Sequence, residues 1–265
     1  MDVGIELYDK HADVFLKLLN AEWKKTEKLT SGMTEYLKYY GINSGTMLDL
    51  FCGNGRISVY MAKLGYKAVA VDTAQTFLND GKQKAELYGA SSSVTFVNGD
   101  VRKIKEVIHH AISPEILFDV IVDGWTSLGM YSRNEDVSIL KQARDLSKEG
   151  AFLFITETMH ENYVLEKLAP TSYFEIEDLI FLEKTNFDRN KKLLNRSWAF
   201  YRKQGSNDLV FMGKTEFDLH IYNLSELSSI LKEAGWQLMK DYGSLSKSQS
   251  LKSSSLANLA ARAVN

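Results

Sequence analysis

Five short apolar runs, Met47 to Phe51, Ala68 to Val71, Val94 to Val97, Phe118 to Val122 and Ala151 to Ile155, recur along the chain and are rich in β-branched residues. Runs of this length with little polar alternation suit strands buried on both faces. Between them, Ile57 to Leu64, Thr76 to Tyr88 and Asp136 to Leu146 carry apolar positions at helical spacing. Strand and helix repeated in this order predict an α/β fold built on a doubly wound parallel sheet. Such sheets take ligands outside the carboxyl ends of their strands, near the switch in strand order.

Two regions lie outside this alternation. Ile5 to Tyr40 reads as helices preceding the first strand, and Thr171 to Tyr222 intervenes before a helix over Ser225 to Ala234. The second region alternates as three strands separated by Asp188-Arg-Asn-Lys and Gln204-Gly-Ser-Asn. In the last of these, Thr215, Phe217, Leu219 and Ile221 point one way, and Glu216, Asp218, His220 and Tyr222 point the other. The serine-rich stretch Ser244 to Ser255 predicts a flexible loop before a final strand over Leu256 to Val264.

The first run leads into Asp49-Leu-Phe-Cys-Gly-Asn-Gly-Arg, where the missing side chains of Gly53 and Gly55 let a ligand approach the backbone. The spacing Gly53-x-Gly55-x-x-Ser58 lacks the third glycine of a dinucleotide fingerprint. Asp72 ends the second strand, where a carboxylate accepts both hydroxyls of a ribose. Asp100, in the stretch FVNGDV, ends the third, in reach of an exocyclic amine on an adenine edge. Each acid alone is also a common helix cap or turn former. Acids at three successive strand ends point to a nucleoside-bearing cofactor.

Composition narrows the classes. With 265 residues and 45% hydrophobic content the chain can bury one sizeable core with an elaboration. A net charge of −2 and a pI near 6.2 argue against a duplex nucleic-acid footprint. No apolar run reaches the ~18 residues of a membrane span, and the opening residues, with Asp2, Glu6 and Asp9, show no secretory pattern. A single cysteine, Cys52, excludes internal disulfides and iron–sulfur cluster ligation and fits a cytoplasmic setting. Cys52 is either a nucleophile or a small buried hydrophobe. His109 and His110 are adjacent, no histidine cluster has metal-ligand spacing, and no metal is expected.

The stretches LDLFCGNGRIS, MAKLGYKAVAVD, FVNGD, FDVIVDGWTSLGMYS, IYNLSEL, LKEAGW and KDYG together resemble the class I S-adenosylmethionine-dependent methyltransferases, and most closely a small-molecule-type subgroup with the pattern LDLxCGxGR. The resemblance runs from about Tyr8 to Tyr242. Phe51 stands where that subgroup usually has proline, Ile57 where it has histidine, and His220 where it commonly has arginine.

The resemblance implies a Rossmann-like, mostly parallel seven-stranded sheet with S-adenosyl-L-methionine as cofactor. It places Gly53 and Gly55 against the methionine part, with Asp49 on its amino group, Asp72 on the ribose, and Asp100 with the Val101 backbone on the adenine. Asp123 and Gly124 would line the methionine end beside the sulfonium. Arg56 either pairs with an acid or is a solvated charge. The expected organisation is a helical cap over 1–45, a core over 46–170 and 223–265, and the three-stranded insertion over 171–222 above the active site.

Candidates for the acceptor side follow. Tyr8 and Trp23 either cover the cofactor or dock the first helices on the core. Trp125 and Tyr131, in the loop after the fourth strand, either face a positive charge or belong to the core. His220 and Tyr222 are the candidates for general base or orienting group, against the alternative of an ordinary solvated face. The expected function is methyl transfer to nitrogen or oxygen of a small soluble acceptor by a monomer or homodimer, with no duplex nucleic acid and no membrane as partner. A NAD-dependent oxidoreductase and a non-catalytic nucleoside-binding regulator are the rival readings.

Overall fold

A computed structural model describes residues 10–205 and 208–264 of the chain. It opens with α1 (Ala12–Tyr39), a single helix of 28 residues. Its buried positions, among them Phe15, Leu19, Trp23, Thr30, Met33 and Leu37, recur at spacings of three and four and form one stripe against the rest of the molecule.

Strands and helices then alternate as β1 (Gly45–Leu50), α2 (Arg56–Lys63), β2 (Tyr66–Asp72), α3 (Gln75–Leu87), β3 (Val94–Asn98), α4 (Ile104–Ala111), β4 (Phe118–Gly124), α5 (Arg133–Asp145) and β5 (Ser147–Thr158). After α6 (Glu161–Lys167) and an excursion described below, α7 (Leu224–Glu233), β10 (Trp236–Tyr242) and β11 (Ala257–Ala263) complete the main sheet. Its seven strands run β10-β11-β5-β4-β1-β2-β3. β1 pairs in parallel with both β2 and β4, and β11 is antiparallel to both its neighbours. The strand order therefore reverses at the carboxyl ends of β1 and β4, where ligands of open α/β sheets bind.

Period-two alternation divides the strand residues between two cores. Leu48, Leu50, Ile121 and Leu153 pack with Ile104, Leu140 and Leu231 of the helices on one face. Met47, Val120, Val122 and Phe154 pack with Met33, Leu37 and Val59 on the other. Both faces are covered by helices, so the strands read as nearly unbroken apolar runs.

The excursion between α6 and α7 is a second sheet of four antiparallel strands, β6 (Thr171–Ile176), β7 (Leu179–Asp188), β8 (Leu193–Gln204) and β9 (Asp208–His220), not the three that alternation predicts. The extra reversal falls at Glu177-Asp178, with Ile176 paired to Leu179. Asp178 is a common turn residue, but neither glycine nor proline stands here, so the turn carries only a single-residue signal. Glu177 nonetheless takes φ +54°, and Lys17 of α1 pairs with both Glu177 and Asp178. Two tertiary ion pairs at this turn accompany a weak local signal. The sheet packs on α1 through Phe181, Trp198 and Phe200, with the Trp198 ring stacked on Phe15 at 5.5 Å. Among the described residues, no helix is long and apolar enough to cross a membrane.

Candidate active site

The turn after β1 is built from left-handed residues: Phe51 at φ +53°, Gly53 at +55° and Gly55 at +68°. Proline, locked near −65°, cannot occupy the Phe51 position in this conformation. The turn is fastened to β2 on both sides of its first glycine. The Cys52 N–H donates to Val71 O at 2.9 Å, and the Gly53 N–H donates to Asp72 Oδ2 at 2.8 Å. The other Asp72 oxygen accepts the Ala74 N–H at 2.9 Å. Burial pushes the Asp72 carboxyl up from its ordinary value, and these backbone donors act against that push.

Asp49 sits 2% exposed below the same turn and accepts the Ser58 hydroxyl at 2.6 Å. Burial pushes its carboxyl up to about 6, against the Ser58 hydrogen bond and the positive charge of Arg56. A cavity opens between these two acids. Gly53 and Gly124 supply backbone to its wall, α1 covers it with Phe15 and Leu19, and Phe77 of α3 closes one side. Phe51, Trp125 and Tyr131 give it aromatic surface.

The loop from Trp125 to Tyr131 forms the remaining wall. Trp125 and Thr126 stand at φ +61° and +59°, an outlying conformation for an aromatic and a β-branched residue in succession. Such backbone persists only where surrounding contacts impose it. The Trp125 N–H donates to Thr156 O at 2.9 Å and the Thr126 hydroxyl to Glu157 O at 2.9 Å.

Of the residues expected at the site, Asp49, Gly53, Asp72, Val101, Gly124, Trp125 and Tyr131 line this one cavity. Six others do not. Gly55 opens α2, and a Cβ there would lie 2.5 Å from the Phe96 ring, so its small size serves packing. Asp100 caps the short 3-10 turn Val101–Lys103 and is gripped by the Arg102 guanidinium at 2.7 Å, which holds its carboxyl low despite partial burial. Asp123 shares the sheet face of Leu50 and Ile155, 2% exposed, with Oδ1 lacking a hydrogen-bond partner among the described residues. Its carboxyl is pushed well up by burial and by Asp136 and Asp49.

Trp23 points into the core between Tyr60 and Tyr88, docking α1 instead of covering the cavity. Tyr222 is 3% exposed and donates its hydroxyl to Asp136 Oδ2 at 2.7 Å, because the chain turns inward after β9 ends at His220. His220 packs on that tyrosine at 4.5 Å, and burial lowers its pKa. Among the described residues, none of 171–222 lines the cavity; the four-stranded sheet bounds it indirectly, holding α1 and, through the His220 N–H on Gly129 O, the Trp125 to Tyr131 loop. Tyr8 lies outside the described residues.

The sequence left several contributors unmarked. Phe15, Leu19 and Phe77 read only as members of amphipathic stripes. Arg56 resolves as a paired charge: it is 4% exposed, donates to Glu157 Oε2 at 2.8 Å and to the Thr26 hydroxyl at 2.7 Å, and lies over the Trp125 ring at 5.9 Å. Cys52 is buried in the cavity wall, and burial with the nearby acids pushes its thiol up, away from the thiolate a nucleophile needs. Among the described residues no group of acids, histidines and cysteine could hold a metal ion.

Residues 47–150 match a family model described as a methyltransferase domain. Over 198 residues the chain is 24% identical to YqeM of Bacillus subtilis strain 168, named as a methyltransferase, covering 73% of this chain and 74% of that one. A shorter match, 28% identical over 37% of this chain and 20% of its relative, is to an uncharacterised RNA methyltransferase of Chlorobaculum tepidum. An S-adenosylmethionine-dependent methyltransferase from Clostridium acetobutylicum superposes with a TM-score of 0.75 at 16% identity, over 97% of this chain and 98% of that one. The sugar N-methyltransferase KedS8 of Streptoalloteichus does so with a TM-score of 0.69 at 11% identity, over 94% and 92%.

Proposed function

We propose, from the premise that this chain is an enzyme with a methyltransferase domain and S-adenosylmethionine as cofactor, that it methylates a small acceptor, at nitrogen before oxygen. The observation that carries this reading is the cavity itself: two carboxylates flank a glycine turn, and a helix covers them. Asp49 then receives the cofactor's ammonium group and Asp72 its ribose hydroxyls. Gly53 and Gly124 leave room for the methionine part, and Val101 packs on the adenine.

The cofactor supplies an electrophilic methyl group on a sulfonium. The chain supplies position, exclusion of water and aromatic surface. An aromatic face attracts a cation by about 0.5 to 2 kcal/mol, and Phe51, Trp125 and Tyr131 offer such faces. Among the described residues, no histidine or lysine lines the cavity. An amine with a free lone pair needs no base before attack, whereas a hydroxyl gains from one, and this favours nitrogen. The N-methyltransferase named among the solved structures supports that preference. The cover formed by Phe15 and Leu19 and the net charge of −2 favour a small acceptor over RNA. The proposed units are a helical cap over 1–45, a core over 46–170 and 223–265, and an insertion over 171–222.

The test is turnover of labelled S-adenosylmethionine against small amines, hydroxyl compounds and bulk RNA, with calorimetry for S-adenosylmethionine and NAD. Methyl transfer to an amine supports the proposal. Transfer confined to RNA, or binding of NAD in preference to S-adenosylmethionine, overturns it.

A further inference from the structure

Gly129, in the middle of the Trp125 to Tyr131 loop, is held from three directions. Its N–H donates to Asp136 Oδ2 at 3.0 Å, and its carbonyl accepts the His220 N–H at 2.8 Å. A Cβ on Gly129 would lie 2.2 Å from His220 O, and its φ of +94° is left-handed, so the position admits glycine alone. The Tyr222 hydroxyl donates to the same Asp136 oxygen at 2.7 Å. One buried oxygen thus joins the loop, α5 and the segment that returns from the four-stranded sheet.

The loop has two sides. Trp125, Ser127, Met130 and Tyr131 line the cavity, whereas Leu128 is buried in the core on the other side and Gly129 makes the contacts just described. The loop enters through the outlying pair Trp125 and Thr126. Cavity-facing side chains on such a segment keep their places only if the rear contacts over-determine the backbone.

We propose that Asp136 and Tyr222 are positioning residues: together they latch Gly129 and so fix the wall of the cavity formed by Trp125, Ser127, Met130 and Tyr131. The functional sense of that wall rests on the reading of the cavity as a methyl-transfer site. The latch itself is a property of the free protein. It also re-assigns Tyr222, whose hydroxyl acts through a carboxylate and a loop and does not touch a reactant.

Hydrogen exchange of the ligand-free chain, read by mass spectrometry over peptides spanning 125–131 and 118–123, tests the latch. Tyr222→Phe removes one hydroxyl, and Asp136→Ala removes the shared acceptor. Asp136→Asn keeps an oxygen for the Gly129 N–H, and Leu227→Ala perturbs the same core without touching the latch. Exchange over 125–131 should rise tenfold or more in Tyr222→Phe and Asp136→Ala, with 118–123 unchanged, and Asp136→Asn should restore most of the protection. An unchanged loop in both variants overturns the proposal. So does loss spread over the fold as in Leu227→Ala, or an Asp136→Asn variant as unprotected as the alanine. Should Asp136→Ala fail to fold, Tyr222→Phe carries the test. Calorimetry with S-adenosylhomocysteine, run on the wild type, separates the two claims: no binding there fails the functional reading and leaves the exchange result standing.

Discussion

The Gly53 amide donates to Asp72 Oδ2 at 2.8 Å, which makes the glycine turn and the acid at the end of β2 a single structural unit. A side chain expected only to meet a ribose also holds the loop proposed to meet the methionine part. Asp72→Ala should therefore weaken S-adenosylmethionine binding by about 1 to 3 kcal/mol, through loss of a charged acceptor from a partly buried site. Calorimetry checks this, and an affinity unchanged from wild type refutes the ribose assignment.

Gly53→Val should abolish cofactor binding in a chain that still folds. A Cβ at Gly53 would lie 3.3 Å from both methyl groups of Leu19, at the covering helix, and a branched residue is strained at φ +55°. Far-ultraviolet circular dichroism and calorimetry read the two halves of this expectation. Retained affinity in a folded variant would make the turn purely structural.

Cofactor affinity should fall with acid through a pH near 6. Burial lifts the free Asp49 carboxyl to about 6, and an ammonium group beside it favours the ionised form. Binding therefore releases a proton when Asp49 starts protonated: affinity is full well above pH 6 and declines below it. Titrations in two buffers of different ionisation enthalpy measure the proton directly. Asp49→Asn should remove the dependence along with most of the affinity.

His220→Ala should keep S-adenosylmethionine affinity within about twofold and transfer activity above half of wild type. The imidazole lies off the cavity and its neighbour at 4.5 Å is Tyr222; its backbone N–H, retained in alanine, is what reaches the loop. A tenfold loss of turnover with an acid limb that disappears in the variant would restore His220 as a general base.

Arg56→Met should destabilise the fold by about 2 to 4 kcal/mol, since it strands the partly buried Glu157 carboxylate, while the Thr26 hydroxyl keeps its bond to Glu22 O. Urea unfolding measures this. A loss below about 1 kcal/mol would show that the pair is no stronger than one at the surface.

The parallel strands were legible because both of their faces are apolar, and Asp49, Gly53 and Asp72 because strand ends mark the ligand edge of such a sheet. The site was less legible wherever geometry depends on partners far along the chain. Asp123 and Gly124 are neighbours, yet alternation sends one to each face, so only Gly124 reaches the cavity. Trp23 and Phe15 share one helical stripe, and nothing local says which of them meets the core and which the cavity. Tyr222 continues the polar series of β9 on paper, but the strand ends at His220 and the ring turns inward to Asp136. The reversal at Glu177-Asp178 is marked by one aspartate without glycine or proline, and its ion pairs reach Lys17, far back in the chain.

The excursion that forms the four-stranded sheet leaves and re-enters the main chain path at nearly one point, where the Glu161 N–H donates to Tyr222 O at 3.1 Å. Because its two ends meet, its length and content can change without moving any strand of the parallel sheet. It packs on α1, the helix whose Phe15 and Leu19 cover the cavity, and His220 at the end of β9 donates its N–H to Gly129 O in the loop that walls it. Variation in this segment can therefore be inherited by the cover while the glycine turn stays constant, which makes the excursion a natural exchange point for chimaeras between this chain and its relatives.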